Sequence, residues 1–298
     1  MTRVARLSVA IATLDRPDGL ARCLDALLAG DVLPAEILVV DQGSDDATPS
    51  VVEERRTDTT PITYVRQGRR GLAASRNAAV AHACYPAIAI TDDDCVPDRR
   101  WIATIDRTFA APDAPDAISG RVLPLGPDVP GLYPVSLREG AVRVDFRGKA
   151  VPWLVGTGGN FAVTRAWCAR VGGYNEGLGV GSPGKAAEDI DMLYRLLRTG
   201  AYIRYEPDAV VYHERQSAAR RLASRATYGY GIGAFCGMWL RRGDLYALRM
   251  CGSWLRSQSW ELAAAMRRRR WREIYERTLS LRGMVCGLAH GVRVSEVT

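Results

Sequence analysis

Lysine is almost missing from this chain. Of its forty basic side chains only Lys149 and Lys185 are lysines, so the formal charge of +7 and the isoelectric point near 9.2 rest on arginine. GC-rich coding produces that bias as readily as phosphate binding does, and charge alone selects neither nucleic acid nor membrane as a partner. Cys-x-x-Cys pairs are absent as well. The seven cysteines (Cys23, Cys84, Cys95, Cys168, Cys236, Cys251, Cys286) are odd in number and scattered, which argues against a disulfide framework or a zinc knuckle and for a reducing, cytoplasmic compartment. No window reaches the roughly 18 to 20 uninterrupted apolar residues that a transmembrane helix needs. Residues 1–14 imitate a signal peptide, with two arginines and an apolar stretch, but Asp15-Arg16-Pro17-Asp18 stands where small residues would mark a cleavage site. A first strand is expected there instead. Internal repeats are missing, and Arg267 to Arg270 is the one strong charge run.

What is present is an α/β rhythm. With 298 residues, 47% of them hydrophobic, the chain can hold one large α/β domain with an appendage or two modest domains. Short apolar runs at residues 7–14, 35–40, 62–65 and 87–91 alternate with helix-like segments at 19–28, 47–56 and 72–82. Runs that are apolar throughout, spaced by helices, imply a parallel sheet covered on both faces, with ligands gathering at the carboxyl ends of the strands. A helix is expected over 101–109. Residues 110–152, dense in proline and glycine, read as a long excursion carrying a hairpin or part of a substrate rim. Gly156-Thr157-Gly158-Gly159-Asn160-Phe161 then leads into a helix near 165–171. Ile190, Leu193, Tyr194 and Leu197 follow helical spacing, Gly200 ends that helix, and a last strand at 210–212 presents His213.

The most informative stretch is Ala89-Ile90-Thr91-Asp92-Asp93-Asp94-Cys95-Val96-Pro97, an apolar strand running into three carboxylates. Adjacent like charges are costly unless a cation sits among them. Asp92 and Asp94, at alternate positions, would point the same way at an extended strand end, and hard oxygen ligands suit Mg2+ or Mn2+ better than zinc. The competing interpretation is a solvated acidic turn.

Four separated segments carry a resemblance: Val40-Asp41-Gln42-Gly43-Ser44-Asp45-Asp46-Ala47-Thr48, Gly71-Leu72-Ala73-Ala74-Ser75-Arg76-Asn77, the Asp92-Asp93-Asp94 cluster, and Glu188-Asp189 with its helix and the later His213. In that order and spacing they resemble the inverting family 2 glycosyltransferases of the GT-A fold, over most of residues 6–215. The resemblance implies a mostly parallel sheet flanked by helices, and the change to arginine-rich, helix-periodic sequence from Ser217 onward sets a catalytic domain at 1–216 against a helical extension at 217–298. It implies transfer of a sugar from a nucleotide-diphospho-sugar to an acceptor hydroxyl of a glycan, a lipid-linked sugar or a natural product. Asp92 and Asp94, with His213, would hold Mn2+ or Mg2+ against the diphosphate, and Asp93 would lie beside them. Asp41 would meet the base or ribose, helped by the loop with Thr13, Asp15 and Arg16. Its alternative is to cap the turn before Gly43. Arg76, in the segment opened by Gly71, suits a phosphate, while Asn77 would brace the turn. Gly158, Gly159 and Asn160 would line the sugar or acceptor pocket. Asp189 would be the base, Asp191 and Glu188 compete for that role, and Glu188 would otherwise orient or tune the acceptor.

Rival chemistries lack their signatures. A haloacid-dehalogenase-type phosphatase places its nucleophilic aspartate after the first strand, where this chain has Thr13-Leu14-Asp15-Arg16. A dinucleotide-dependent oxidoreductase opens its first helix with Gly-x-Gly-x-x-Gly, which is not found. The remaining alternative is a non-catalytic sugar-nucleotide-binding or membrane-surface module acting through its basic tail. Nucleic acid is not an expected partner. In the tail, Trp239, Leu240, Leu245, Leu248, Trp254, Leu255, Trp260 and Trp271 alternate with arginines. Such amphipathic segments either bury against the catalytic domain or in a homodimer, which is the preferred reading, or attach the protein peripherally to the inner face of a membrane.

Overall fold

The first apolar run extends further than its pattern requires: in the computed structural model, which describes residues 3–44, 47–68 and 70–293, it is strand β1 (Arg3–Thr13). There follow α1 (Pro17–Leu28), β2 (Val32–Asp41), α2 (Ala47–Glu53), β3 (Ile62–Arg66), α3 (Leu72–His82) and β4 (Ala87–Asp92). Pro17 opens α1, where its missing N–H costs nothing, and Leu20, Cys23, Leu24 and Leu27 recur at helical spacing on its buried side. β2 is buried along its whole length, as a strand covered on both faces must be. These strands pair in parallel in the order β3-β2-β1-β4. The register sets Thr13 opposite Asp41 and Ala12 opposite Asp92, so the ends of three strands lie side by side where the strand order reverses.

Beyond β4 the chain departs from expectation. After a turn at Asp93 and Asp94 it returns as the short strand β5 (Cys95–Pro97), then forms α4 (Trp101–Phe109). The stretch read as an excursion contains a central strand, β6 (Ala117–Pro124), besides β7 (Leu132–Tyr133) and β8 (Val144–Phe146). β9 (Asn160–Thr164) precedes α5 (Arg165–Arg170), and α6 (Glu188–Arg198) precedes β10 (Ile203–His213). β6 lies between β9 and β10, and β8 pairs at the edge with Ile203 to Tyr205. Gly120, Arg121 and Pro124 give β6 little local strand character. Burial between two partners distant in sequence makes it a strand. β1, β2, β3, β4, β6 and β10 run one way and β5, β8 and β9 the other, so the sheet is mostly parallel. Its core includes Leu7, Val9, Ile11, Leu24, Ile37 and Trp101.

The chain divides into two compact units. The first holds the sheet, in residues up to Arg70, Ala74–Tyr174 and Met192–Arg215. The second takes in Gly71–Ala73, Asn175–Asp191 and the chain from Gln216 onward. The second unit contains α7 (Ala218–Arg241), α8 (Tyr246–Arg267) and α9 (Trp271–Arg293). Ser217 caps α7 by accepting from the Arg220 N–H. α7 and α9 run side by side in the same direction with their backbones touching. A Cβ on Gly287 would stand 1.9 Å from the Tyr230 carbonyl oxygen, and one on Gly233 2.1 Å from that of Met284. Beside this contact the buried Glu276 carboxylate is ringed by Arg221, Arg225 and Arg272. No helix among the described residues is long and apolar enough to cross a membrane.

Candidate active site

The acidic cluster forms at a turn. β4 ends at Asp92, Asp93 and Asp94 turn the chain, and β5 sets Cys95 opposite His213. Asp92 and Asp94 are therefore brought together by the reversal rather than by the alternation of a strand. One ligand atom each from Asp92, Asp94, Cys95 and His213 lie within 4.8 Å of one another. His213 Nε2 is 3.5 Å from Asp94 Oδ1, while Nδ1 is 2.9 Å from the Glu214 carbonyl. A carbonyl oxygen only accepts, so Nδ1 donates in that second contact and Nε2 is the nitrogen directed at the carboxylates.

Two carboxylates and an imidazole are a donor set for a hard dication. The fourth member, Cys95, is fully buried, and burial followed by Asp92 and Asp94 pushes its thiol well above the usual range. Gly159 keeps the approach open, since a Cβ there would be 3.0 Å from Asp92 Oδ2. These residues fit Mn2+ or Mg2+.

Asp93 turns inward. Its carboxylate accepts from Thr13 Oγ1 at 2.8 Å and from Arg16 at 3.2 Å, and Arg16 also reaches Asp94 Oδ2 at 2.5 Å. Burial raises Asp93 to about 6, opposed by Arg16 and Thr13 and assisted by Asp94 and Asp92. Arg76, 3% exposed, donates to Asp92 Oδ1 at 2.8 Å and lies over the Tyr174 ring. Gly158 makes room for it: a Cβ would stand 2.7 Å from Arg76 Nη1. Asn77 and Tyr174 exchange two hydrogen bonds, the bracing role expected of Asn77.

Asp41 is fully buried. Its Oδ1 accepts from the Gly43 N–H at 2.7 Å and its Oδ2 from the Tyr64 hydroxyl at 2.8 Å, so it caps the turn beside Asp15, whose φ is 53°. Asp45 and Asp46 of the same motif lie outside the described residues. Asn160, expected in the sugar pocket, has its amide committed elsewhere. Nδ2 donates to the Arg121 and Ala209 carbonyls at 2.7 and 2.8 Å, and Oδ1 accepts from Trp101 Nε1 at 2.9 Å. These bonds bridge β9 to the strands around it and leave the backbone of Gly158 and Gly159 to border the cluster.

In the second unit, Glu188, Asp189 and Asp191 occupy the first turn of α6. Asp191 is fully buried and accepts from Trp239 Nε1 at 3.0 Å, Glu188 is buried beside Gly179, and Asp189 is only half-buried. Lys185 and Ala187, just before this turn, have φ of 66° and 73°, a left-handed backbone costly for residues with a Cβ. Gly71 also has positive φ, and the neighbouring Leu72 N–H donates to the Val180 carbonyl.

Cys95, Tyr64, Trp101 and Trp239 were not identified from sequence. Cys95 directly follows the acids and could have been, whereas the other three meet their partners only through folding.

Residues 8–136 match the family model described as Glycosyl transferase family 2. Over 168 residues the chain is 30% identical to the pre-mycofactocin glycosyltransferase of Mycobacterium tuberculosis, a stretch covering 54% of this chain and 34% of that protein. It is 26% identical over 256 residues to the chondroitin synthase of Escherichia coli, covering 74% and 36%. The chain thus spans about a third of the length of these curated relatives. Among solved structures, the mannosyltransferase PcManGT from Pyrobaculum calidifontis, in complex with GDP-Man and Mn2+, superposes with a TM-score of 0.62 at 19% identity, covering 96% of this chain and 88% of that one. That likeness shows the fold, the GT-A arrangement implied by the motifs.

Proposed function

Residues 8–136 form a family 2 glycosyltransferase domain, and from that premise we propose that the chain moves a sugar from a nucleotide-diphospho-sugar to an acceptor hydroxyl, inverting the anomeric carbon in a single displacement. The observation that carries this reading is the meeting of Asp92, Asp94 and His213 at the end of β4, with Arg16 bonded to Asp94 and Arg76 to Asp92. The GDP-Man and Mn2+ held by the Pyrobaculum enzyme of like fold support it. Asp92, Asp94 and His213 would hold Mn2+ or Mg2+, which supplies Lewis-acid stabilisation to a diphosphate leaving group when bound.

The other roles belong to the protein's own groups. Arg16 and Arg76, which neutralise the carboxylates, offer planar guanidinium forks to phosphate oxygens. Thr13 and Asp93 hold Arg16 in that position. Asp15 and Asp41 shape the turn that receives the nucleoside, and Gly71 serves the segment carrying Arg76. Gly158 and Gly159 border the sugar, with Asn160 fixing their strand from behind. Asp189 takes the proton of the acceptor hydroxyl, Glu188 orients the acceptor, and Asp191, buried under Trp239, braces the helix start. Donor chemistry resides in residues 1–216, and 217–298 form the extension.

The test is nucleotide release from a panel of sugar nucleotides with Mn2+ and with a chelator. One donor should be turned over in a metal-dependent way, and Asp94→Ala should lose both donor binding and release. A chain that binds the nucleotide without releasing it, or an Asp94→Ala variant as active as the wild type, would overturn the reading.

A further inference from the structure

The helices of the second unit leave an apolar stripe uncovered. Along α8, Leu248, Gly252, Leu255, Ser259, Ala263 and Met266 recur every three or four residues and are all exposed, so one face of the helix presents them to solvent. Of the tail residues expected to bury against the catalytic domain or in a homodimer, Leu245, Leu248, Leu255, Trp260 and Trp271 are exposed in the single chain, while Trp239, Leu240 and Trp254 are half-buried. The buried side of α8 is supplied instead by Ala247, Met250, Cys251, Gln258 and Ala265. Trp260 is 72% exposed, and Trp271, at the start of α9, 76%.

The charge beside this stripe has one sign. At 100° per residue Arg249, Arg256 and Arg267 fall along one flank of it, next to Trp260. The single acidic residue of α8, Glu261, projects from the opposite side and pairs with Arg277. Arg267 to Arg270 close the helix, between the exposed Met266 and Trp271, in a tight turn where Arg269 has φ of 53°. Arg270 pairs with Glu273, but Arg249, Arg256, Arg267, Arg268 and Arg269 have no carboxylate partner among the described residues.

We infer that this face of α8, with the α8–α9 turn, docks on an anionic bilayer surface. The helix is too polar to cross the hydrocarbon. Lying in the interface plane it would place leucine and methionine at the acyl boundary, tryptophan at headgroup level and the arginine flank among lipid phosphates. Charge complementarity selects this occupant. A second copy of the chain would bring a second set of unpaired arginines to the same contact, whereas acidic headgroups neutralise them. The inference does not depend on the reaction proposed above.

The experiment is flotation of the full chain with vesicles of phosphatidylcholine alone and of an equal mixture of phosphatidylcholine and phosphatidylglycerol, at low and physiological salt. Binding is expected on the anionic vesicles only and should weaken with salt. The triple variant Arg249→Gln, Arg256→Gln, Arg267→Gln should lose on the order of a hundredfold in partitioning, following the usual contribution of basic residues near an anionic surface. Leu255→Glu should lose binding at low salt as well, while Arg256→Lys keeps it. All these positions are exposed, so unchanged thermal unfolding checks that each variant is folded. No flotation of the wild type, equal flotation on neutral vesicles, or binding unaffected by the triple variant and Leu255→Glu would overturn the inference. So would light scattering that shows a stable dimer dissolved by Leu255→Glu.

Discussion

Replacing Asn160 by alanine removes one small side chain and, with it, a hydrogen-bond partner of three groups. The Trp101 Nε1–H donates to Asn160 Oδ1, and the carbonyls of Arg121 and Ala209 accept from Asn160 Nδ2, at 2.7 to 2.9 Å. Trp101 is fully buried and Asn160 is 2% exposed, so water does not readily replace the amide. At about 1–3 kcal/mol for each polar group left unsatisfied, with partial relief by relaxation, the loss is about 4 kcal/mol. For a domain of this size that lowers Tm by about 10 °C. Asn160→Asp should be worse, because carboxylate oxygens would face two carbonyls in a buried site. Thermal and urea unfolding followed by circular dichroism measure the effect, and donor KM is then measured at low temperature on the folded fraction. A variant with wild-type stability and a raised donor KM would refute the reasoning and return Asn160 to the sugar pocket.

Asp189→Asn should leave donor binding nearly intact while depressing turnover by about 10²-fold, the usual scale of general-base loss. Asp191→Asn, which can still accept from Trp239, should leave the pH–rate profile unchanged; if the two variants swap phenotypes, the base is misassigned. Gly287→Val forces a side chain into the Tyr230 carbonyl and should separate α7 from α9, at a cost of about 3 kcal/mol or more in unfolding free energy. Glu276→Gln leaves three arginines around a neutral buried amide and should destabilise by about 3–5 kcal/mol; a wild-type denaturation midpoint contradicts this. Burial pushes the Cys168 thiol up to about 11. The folded state therefore holds that proton more tightly than the unfolded state. Its contribution is intact below about pH 9 and is lost by about 11, a fall of at most about 3 kcal/mol that Cys168→Ala should remove from the alkaline limb of the stability curve.

The half of the sheet from β1 to β4 was legible in the sequence, because its information is local. Continuous apolar runs, helical spacing in α1 and α3, and turn residues after Asp41 each declare themselves within a few positions, and parallel α/β winding then places Thr13, Asp41 and Asp92 at one edge. The acidic cluster itself was legible as three adjacent acids after a strand, but the meeting of Asp92 and Asp94 comes from the chain reversal at Asp93 and Asp94 and not from the alternation of a strand. Tertiary structure alone decided the rest. β6 became a central strand because β9 and β10 lie on either side of it, although its own residues favour a loop. Asn160 and Asp41 turned their polar atoms into the protein because Trp101, Tyr64 and two distant carbonyls had to be satisfied there. Asp191 found its partner in a tryptophan 48 residues away. Leu248, Leu255, Trp260 and Trp271 of the tail stayed in solvent, whereas Trp239 found a partner in Asp191. In each case the partner of a polar atom or an apolar face was chosen across the fold, and periodicity along the chain carries no information about that choice.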